Sequence, residues 1–132
     1  MADQYKANLA RAFCEVVDFG FGLTLYALFE RQFAGPIGLV WGFTEGCADG
    51  KSRKFRVYHS YVLPFARRQG VRSRLNDEIF KTHDIIVTCS GSENSGLDFI
   101  KARGYTLDEA TQEWYLRKSV EAVAEAVTGN SE

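Results

Sequence analysis

The chain has 132 residues, the length of a single domain, and its 45% hydrophobic and 14% aromatic residues can fill one core. A formal net charge of -1 with 25% charged residues argues against a dominant nucleic-acid-binding surface. No apolar run approaches the roughly 20 residues that span a bilayer, and the three cysteines follow neither a disulfide nor a zinc-site spacing.

The amino terminus and the cysteines predict a cytoplasmic protein. Residues 1–8 lack the basic-then-apolar order of a secretory signal. An odd number of widely spaced cysteines favours a reducing compartment. The chain contains no repeat, low-complexity stretch or linker, so we predict one domain over residues 1–132, with no metal site.

The first predicted element is a helix over residues 3–20, capped by Asp3 and ended by Gly20. Its apolar residues recur at helical spacing, at Tyr5, Leu9, Phe13 and Val16. The composition then changes. LTLYALFERQ and IGLVWGFTE are apolar and aromatic, and the turn residues Gly35 and Pro36 separate them, so they are predicted to be antiparallel strands.

A third strand and a crossover unit follow. The loop CADGKS leads into the strand KFRVYHSYVL, which Pro64 ends. A helix is predicted over residues 68–81, with Val71, Leu75 and Ile79 on one face. The continuous apolar run HDIIVTCS is typical of a strand buried on both faces. Strand, helix and strand together predict two parallel neighbours.

The remaining chain predicts a short helix, SGLDFIKAR, ending at Gly104, and a last strand, QEWYLRK. That strand puts Trp114 and Leu116 on one face and Tyr115 on the other. Residues 120–127 predict a weak terminal helix. The whole order predicts an α/β fold: a mixed sheet, antiparallel first and then parallel, with helices on both faces.

Residues 62–75, VLPFARRQGVRSRL, have the properties of a diphosphate-binding turn. The first N–H groups of a helix have no partners within it, and they lie at the positive end of its dipole. Gly70 would let a phosphate approach the backbone, and several arginines would add charged donors. Arginine-rich helix starts are also common on ordinary surfaces, so the turn alone leaves both interpretations open.

The same segment resembles motif A of the GNAT acetyltransferases, usually V-x-P-x-x-R/Q-x-x-G-x-G/A with a leucine shortly after. The matching positions are Val62, Pro64, Arg67, Gly70, Val71 and Leu75. Gly104-Tyr105, with Phe99 five residues before that glycine, resembles the end of motif B. The resemblance covers roughly residues 23–118, and it implies a GNAT fold that binds acetyl-coenzyme A (acetyl-CoA).

By this resemblance the backbone of Tyr61, Val62 and Leu63 pairs with the pantetheine arm of acetyl-CoA. The pyrophosphate would be held by the turn and the start of the helix. The remaining cofactor-binding residues implied by the resemblance are Arg67, Arg68, Gln69, Gly70, Val71, Arg72, Ser73, Asn94 and Phe99.

The sequence departs from the family pattern at three positions. Arg72 replaces the second glycine or alanine of motif A, where a backbone N–H is still available. Ile100 stands where many members carry a tyrosine that protonates the leaving thiolate. Asn94 lies one position from the expected asparagine of motif B, where Glu93 falls.

Acetyl transfer to an amine needs a base and an acid. His59 is the candidate base, because it lies on the strand leading into motif A and imidazole is the usual base near neutral pH. Ser95 and Tyr105 are the candidate acids, with solvent as the alternative. Glu30 and Glu45 are other candidate bases through water, whereas His83 is expected to be a solvated loop residue.

The resemblance implies transfer of an acetyl group to a primary amine by direct attack in a ternary complex. The acceptor is left open. Two alternatives stand beside it: a module that binds acetyl-CoA without robust transfer, and a nucleic-acid-associated protein, which the net charge of -1 does not favour. The family usually places a pair of helices before its second strand. This chain is predicted to have one, so a smaller lid is expected, with either an open acceptor groove or an acceptor site completed by a second subunit in a homodimer.

Overall fold

The structure, a computed structural model, describes residues 5–89 and 100–118. They form one mixed sheet of seven strands with a helix packed against it. The strands are β1 (Phe13–Gly20), β2 (Leu23–Phe29), β3 (Pro36–Gly46), β4 (Arg53–Val62), β5 (Ile85–Cys89), β6 (Thr106–Asp108) and β7 (Glu113–Arg117), and the helix is α1 (Val71–Ile79).

The strand order across the sheet is β1-β2-β3-β4-β5-β7-β6. β1 to β4 are joined as antiparallel neighbours, β4 and β5 are parallel, and β7 runs antiparallel to both β5 and β6. The parallel pair is the one linked through α1, as a strand–helix–strand crossover requires. The predicted mixed α/β sheet is therefore confirmed.

The predicted first helix is wrong, because residues 13–20 form the edge strand β1. A 3-10 turn at Leu9–Arg11 is the helical structure described before it. β1 pairs along its length with β2, for example Val16 with Tyr26. The turn between them contains Phe21 and the glycines on either side of it, all with positive φ. That tight turn favours a hairpin over a helix.

The core lies between α1 and one face of the sheet. Val71, Leu75 and Ile79 of α1 are at most 2% exposed, which confirms the predicted apolar stripe. They pack against buried side chains such as Val40 and Phe55. Gly38 lets the helix lie close to β3, because a Cβ there would be 2.6 Å from Val71 Cγ1.

The opposite face of the sheet carries many half-buried or exposed apolar side chains, and we call it the aromatic face. Within the described residues, no helix lies against it. Val17, Leu25 and Trp41 are register partners across β1, β2 and β3, so their side chains leave this same face. The face also includes Phe19, Leu23, Phe43, Tyr58 and His59.

Several other predictions can be compared with the structure. The strands predicted from LTLYALFERQ, IGLVWGFTE, KFRVYHSYVL, HDIIVTCS and QEWYLRK are confirmed, and α1 is shorter at both ends than predicted. β6 was missed. Residues 100–102 are helical, but most of the predicted short helix and the terminal helix at residues 120–127 lie outside the described residues. None of the described helices is long and apolar enough to cross a bilayer.

Candidate functional site

A bulge in β4 is the central irregularity of the sheet. Trp41 pairs with His59, but the next residue of β3, Gly42, pairs with Val57, so Tyr58 is an extra residue in β4. The Tyr58 ring stacks on Trp41 with centroids 4.5 Å apart. Gly42 permits the bulge, because a Cβ there would be 2.0 Å from the Arg56 carbonyl oxygen.

Beyond the bulge, β4 has no ladder to β5 within the described residues. The paired residues of β4 are Lys54, Phe55 and Arg56. β4 continues to Val62 and β5 to Cys89, yet these parts are not register partners. Among the described residues, the part of β4 after Arg56 therefore has no strand partner on its β5 side, and we call the space beside it the β4–β5 gap. Such an edge can bind an extended ligand in the way an added strand binds.

The chain turns from the end of β4 into α1 through residues 63–70. Gly70 is the N-cap of α1 and has a φ of 85°, a conformation that favours glycine. The first helical hydrogen bond runs from Arg74 N to Gly70 O, at 2.9 Å. The N–H groups of Val71, Arg72 and Ser73 precede it, so the helix start is available to an anion.

The arginines of the turn adopt different orientations. Arg67 folds back, donating from Nε to the Val62 carbonyl oxygen at 2.8 Å, with its guanidinium 5.3 Å from the Tyr61 ring centre. Arg68 is exposed and has a φ of 62°. Arg72 points along the helix and donates to Asn76 Oδ1, and burial lowers the pKa of its guanidinium.

Gln69 holds the turn to the amino-terminal segment. Its Oε1 accepts from Ala7 N at 2.6 Å, and its Nε2 donates to the carbonyl oxygens of Tyr5 and Phe65. The side chain is thus engaged within the protein, and the backbone N–H is the part of Gln69 left for a ligand. Residues 5–8 thereby fix the conformation of the turn.

Ser73 provides an independent observation about the kind of ligand. Its Oγ is buried and has no hydrogen-bond partner among the described residues. An orphaned hydroxyl is costly unless a ligand or water satisfies it. Because this hydroxyl lies in the first turn of α1, the residues present fit a phosphate-bearing group such as that of acetyl-CoA.

The candidate catalytic residues occupy different environments. His59 is exposed on the aromatic face, next to the bulge and opposite Trp41. Tyr105 is 6% exposed, and its hydroxyl accepts from Asn76 Nδ2 at 3.0 Å, which ties it to α1. Ile100 is 6% exposed in the core. The candidates Ser95, Asn94 and Phe99 lie outside the described residues.

The prediction that His83 is a solvated loop residue is wrong. It is 4% exposed, and its two ring nitrogens lie 2.8 Å from Thr44 Oγ1 and 2.9 Å from Thr82 Oγ1. Burial lowers the pKa of the imidazole. The imidazole packs edge to face against the ring of Phe55, with centroids 5.2 Å apart. His83 therefore has a structural role.

Glu30 and Glu45 are both engaged in polar contacts. Glu30 is buried and accepts hydrogen bonds from Tyr5 Oη and from Gln32, and these bonds lower its pKa. Glu45 accepts from Arg56 Nε at 2.8 Å, which lowers the pKa of its carboxyl group. Both carboxylates are therefore bonded to side chains of the protein, and none of these contacts places them beside the β4–β5 gap.

Sequence reasoning missed the bulge. From sequence, Trp41 is one of the aromatic residues of the first strands that either line an acceptor pocket or fill the core, and Tyr58 is passed over as a base in favour of His59. The signal that was available is Gly42, an isolated glycine inside a strand, which often marks a bulge or a close backbone approach. Ser73, by contrast, was included for its position in the motif.

Neither a family model nor a curated protein sequence matches the chain. Solved structures do match its fold. One is the NatC complex bound to Gag peptide and CoA, with a TM-score of 0.52, 13% identity, and 72% of this chain and 71% of that chain covered. Another is a protein of Exiguobacterium sp. 255-15 assigned as an acetyltransferase, with a TM-score of 0.53, 21% identity, and 80% and 70% covered.

These likenesses establish the fold alone. Their sequence identities, 13% and 21%, are too low to establish an activity. The chain shares the fold of these two structures, which agrees with the fold that the resemblance of its motif A implied.

Proposed function

We propose that the protein is an acetyl-CoA-dependent N-acetyltransferase that transfers the acetyl group to a primary amine. The observation that carries the proposal is the gap between β4 and β5, which begins at the Tyr58 bulge and leads to the amino terminus of α1. A gap with one unpaired strand edge and an anion site at its end suits a long ligand with a diphosphate.

The residues present divide the binding of acetyl-CoA between backbone and side chains. The backbone of Tyr61, Val62 and Leu63 would hold the pantetheine arm. This requires Arg67 to release the Val62 carbonyl oxygen, while Leu63 N stays bonded to Ile37 O. The N–H groups of residues 69–73 and the unsatisfied Ser73 Oγ would hold the pyrophosphate. Arg68 is exposed beside that turn and would add charge. Bound there, acetyl-CoA supplies an activated acyl group.

The chain would contribute orientation and proton transfer. The amine nitrogen bonds to the acetyl carbon, the carbon–sulfur bond breaks, and the amine proton must leave while the thiolate gains one. His59, exposed beside the bulge, is the base that this geometry favours. Tyr105, a candidate acid, is held by Asn76, and solvent protonation remains the alternative.

The experiment compares acetyl-CoA binding to wild type, Gly70→Ala and Gly50→Ala by isothermal titration calorimetry. Both glycines have positive φ, at 85° and 70°, so an alanine is strained at each. Gly50 lies in the β3–β4 loop with nothing near its Cβ position, so it controls for that strain.

We expect Gly70→Ala to weaken acetyl-CoA binding at least tenfold and Gly50→Ala to leave it unchanged, with similar losses of stability. Wild type that does not bind acetyl-CoA would refute the proposal. Equal binding by both variants would refute the role of the turn.

A second candidate function is acetyl-CoA binding without transfer. The observation that favours it is Ile100, which is buried in the core where many family members carry the tyrosine acid. Acetyl-CoA binding without CoA release on any amine would support this candidate. The nucleic-acid alternative gains no support, because Arg56, Arg72 and Arg74 are all engaged by neighbouring side chains.

A further inference from the structure

The aromatic face contains a pocket of about 220 Å³ beside the bulge. Its lining residues are Phe19, Leu23, Leu25 and Trp41. All four side chains are apolar or aromatic, so the pocket suits an apolar group. The pocket is open to solvent on one side, and its volume is large enough for one aromatic ring, for which an enclosed cavity of about 150 Å³ suffices.

Trp41 connects this pocket to the candidate reaction site. The Trp41 side chain lines the pocket, and its ring also stacks on Tyr58, the extra residue of the bulge. Its register partner in β4 is His59. From His59 in β4 to Leu25 in β2 is a distance of two strand spacings, or about 10 Å. A small molecule can span that distance.

The charges on the aromatic face include Glu15, two residues before Val17 in β1, which does not line the pocket. Arg56 pairs with Glu45 and with Glu113, towards the start of β4. None of the residues lining the pocket is charged, so a second ammonium group would find no counter-ion there and would lose its hydration. This composition disfavours polyamines and lysine-like acceptors.

We propose that the acceptor is a primary amine joined by a short chain to one aromatic ring or to a branched aliphatic group of similar size. The amine lies beside His59, and the apolar group lies in the pocket beyond Trp41. The inference rests on the proposed function, because the acetyl group must come from the β4–β5 gap. It adds the class of acceptor, which the fold does not determine.

Amine binding can be measured without turnover. The chain has two tryptophans, so the Trp114→Phe variant leaves Trp41 as its single tryptophan, which is excited selectively over the tyrosines. This variant is titrated with 4-phenylbutylamine and with 1,4-diaminobutane in the presence of CoA. We expect 4-phenylbutylamine to change the Trp41 emission and to bind at least tenfold more tightly than the diamine.

Leu25→Ser in the same background tests the pocket. We expect it to weaken 4-phenylbutylamine binding at least fivefold while leaving CoA affinity unchanged. Leu107→Ser is the matched control, since Leu107 is half-buried in β6 and does not line the pocket. A loss of amine binding in both variants, or in neither, would overturn the assignment of the pocket.

Turnover separates the two proposals. CoA release is followed with benzylamine, 2-phenylethylamine, 4-phenylbutylamine and 1,4-diaminobutane, and we expect kcat/KM to be highest for a phenylalkylamine. If acetyl-CoA binds but the diamine is acetylated as well as or better than the phenylalkylamines, the acceptor inference is wrong and the proposed function stands. If acetyl-CoA does not bind, both are wrong.

Discussion

His59 is the side chain on which the proposed proton transfer depends. It is exposed and lies opposite Trp41, next to the bulge, so it can reach an amine without disturbing the core. We expect His59→Ala to lower kcat about 100-fold or more, the usual contribution of a general base, with little change in acetyl-CoA affinity. Steady-state kinetics and calorimetry on the same preparation check this. Unchanged turnover would remove His59 from the mechanism.

Tyr5 and Glu30 form a polar contact that holds the amino-terminal segment to the sheet. Burial, with the carboxylate as the next cause, raises the pKa of Tyr5 to about 12, while the hydroxyl lowers the pKa of Glu30. The Tyr5 contribution to stability is present below its ordinary value of 10.0 and is lost as the pH rises through about 12. The Glu30 contribution is lost as the pH falls through its lowered pKa.

We therefore expect Tyr5→Phe to lower the urea midpoint at pH 7, and the difference from wild type to shrink as the solution is acidified through the Glu30 pKa. Urea titrations from pH 3 to pH 8 measure it. Tyr58→Phe is the control, because the Tyr58 side chain is 69% exposed. A constant difference at every pH would contradict this account of the contact.

At the scale of elements, the pairing of β3 and β4 depends on Gly42. A Cβ at Gly42 would lie 2.0 Å from a backbone oxygen, so the strand must shift to accept it, whereas Gly46 in the same strand has nothing within 4 Å. We expect Gly42→Ala to cost about 2–4 kcal/mol in the free energy of unfolding, within the range of severe substitutions. Gly46→Ala should cost under about 1 kcal/mol.

Urea denaturation of both alanine variants measures these costs. We also expect Gly42→Ala to weaken acetyl-CoA binding, because the bulge marks where the β4–β5 gap begins. Equal stability of the two variants would mean that the strands adjust to the Cβ without strain.

The elements that sequence could predict are those with long or repeated patterns. α1 was found from its spaced Val71, Leu75 and Ile79, and β5 from its continuous apolar run. β1 was mistaken for a helix, because Tyr5, Leu9, Phe13 and Val16 imitate helical spacing, while pairing with β2 determines the outcome. β6 has three residues and too little pattern to recognise.

The candidate site was predictable to the extent that it is contiguous in sequence. Motif A located the turn and the start of α1, including Gly70 and Ser73. The bulge could not be placed, because its register depends on which residues of β3 lie opposite β4. An acceptor pocket lined by aromatic residues of the first strands, Trp41 among them, was one of two sequence interpretations, but its lining could not be sorted, since it joins side chains from β1, β2 and β3.

At the scale of the molecule, β1 is an exposed sheet edge. Val16 is 51% exposed, and the strand contains neither lysine nor proline, the residues that commonly protect such edges. Two β1 strands paired antiparallel about Val16 would set Phe13 opposite Phe19 and keep their acidic residues apart. A homodimer stays a prediction on these grounds.

We expect the wild-type chain to associate with increasing concentration and Val16→Lys to reduce that association without lowering Tm by more than a few degrees. Light scattering coupled to gel filtration over a concentration series measures it. Thr106→Lys places the same charge on β6, the opposite edge, and should leave the association unchanged. A wild type that is monomeric throughout would contradict the prediction.

The bulge also changes which residues of β4 face inward. Before it, Phe55 and Val57 point towards α1; after it, Val62 does, so the inward side passes from odd to even numbers. The extra residue, whatever its side chain, produces this change. Tyr58 can therefore be exchanged for many residues without closing the gap, whereas a chain one residue shorter at this point would lose it. Insertions and deletions, more than substitutions, decide whether a relative of this protein keeps the gap.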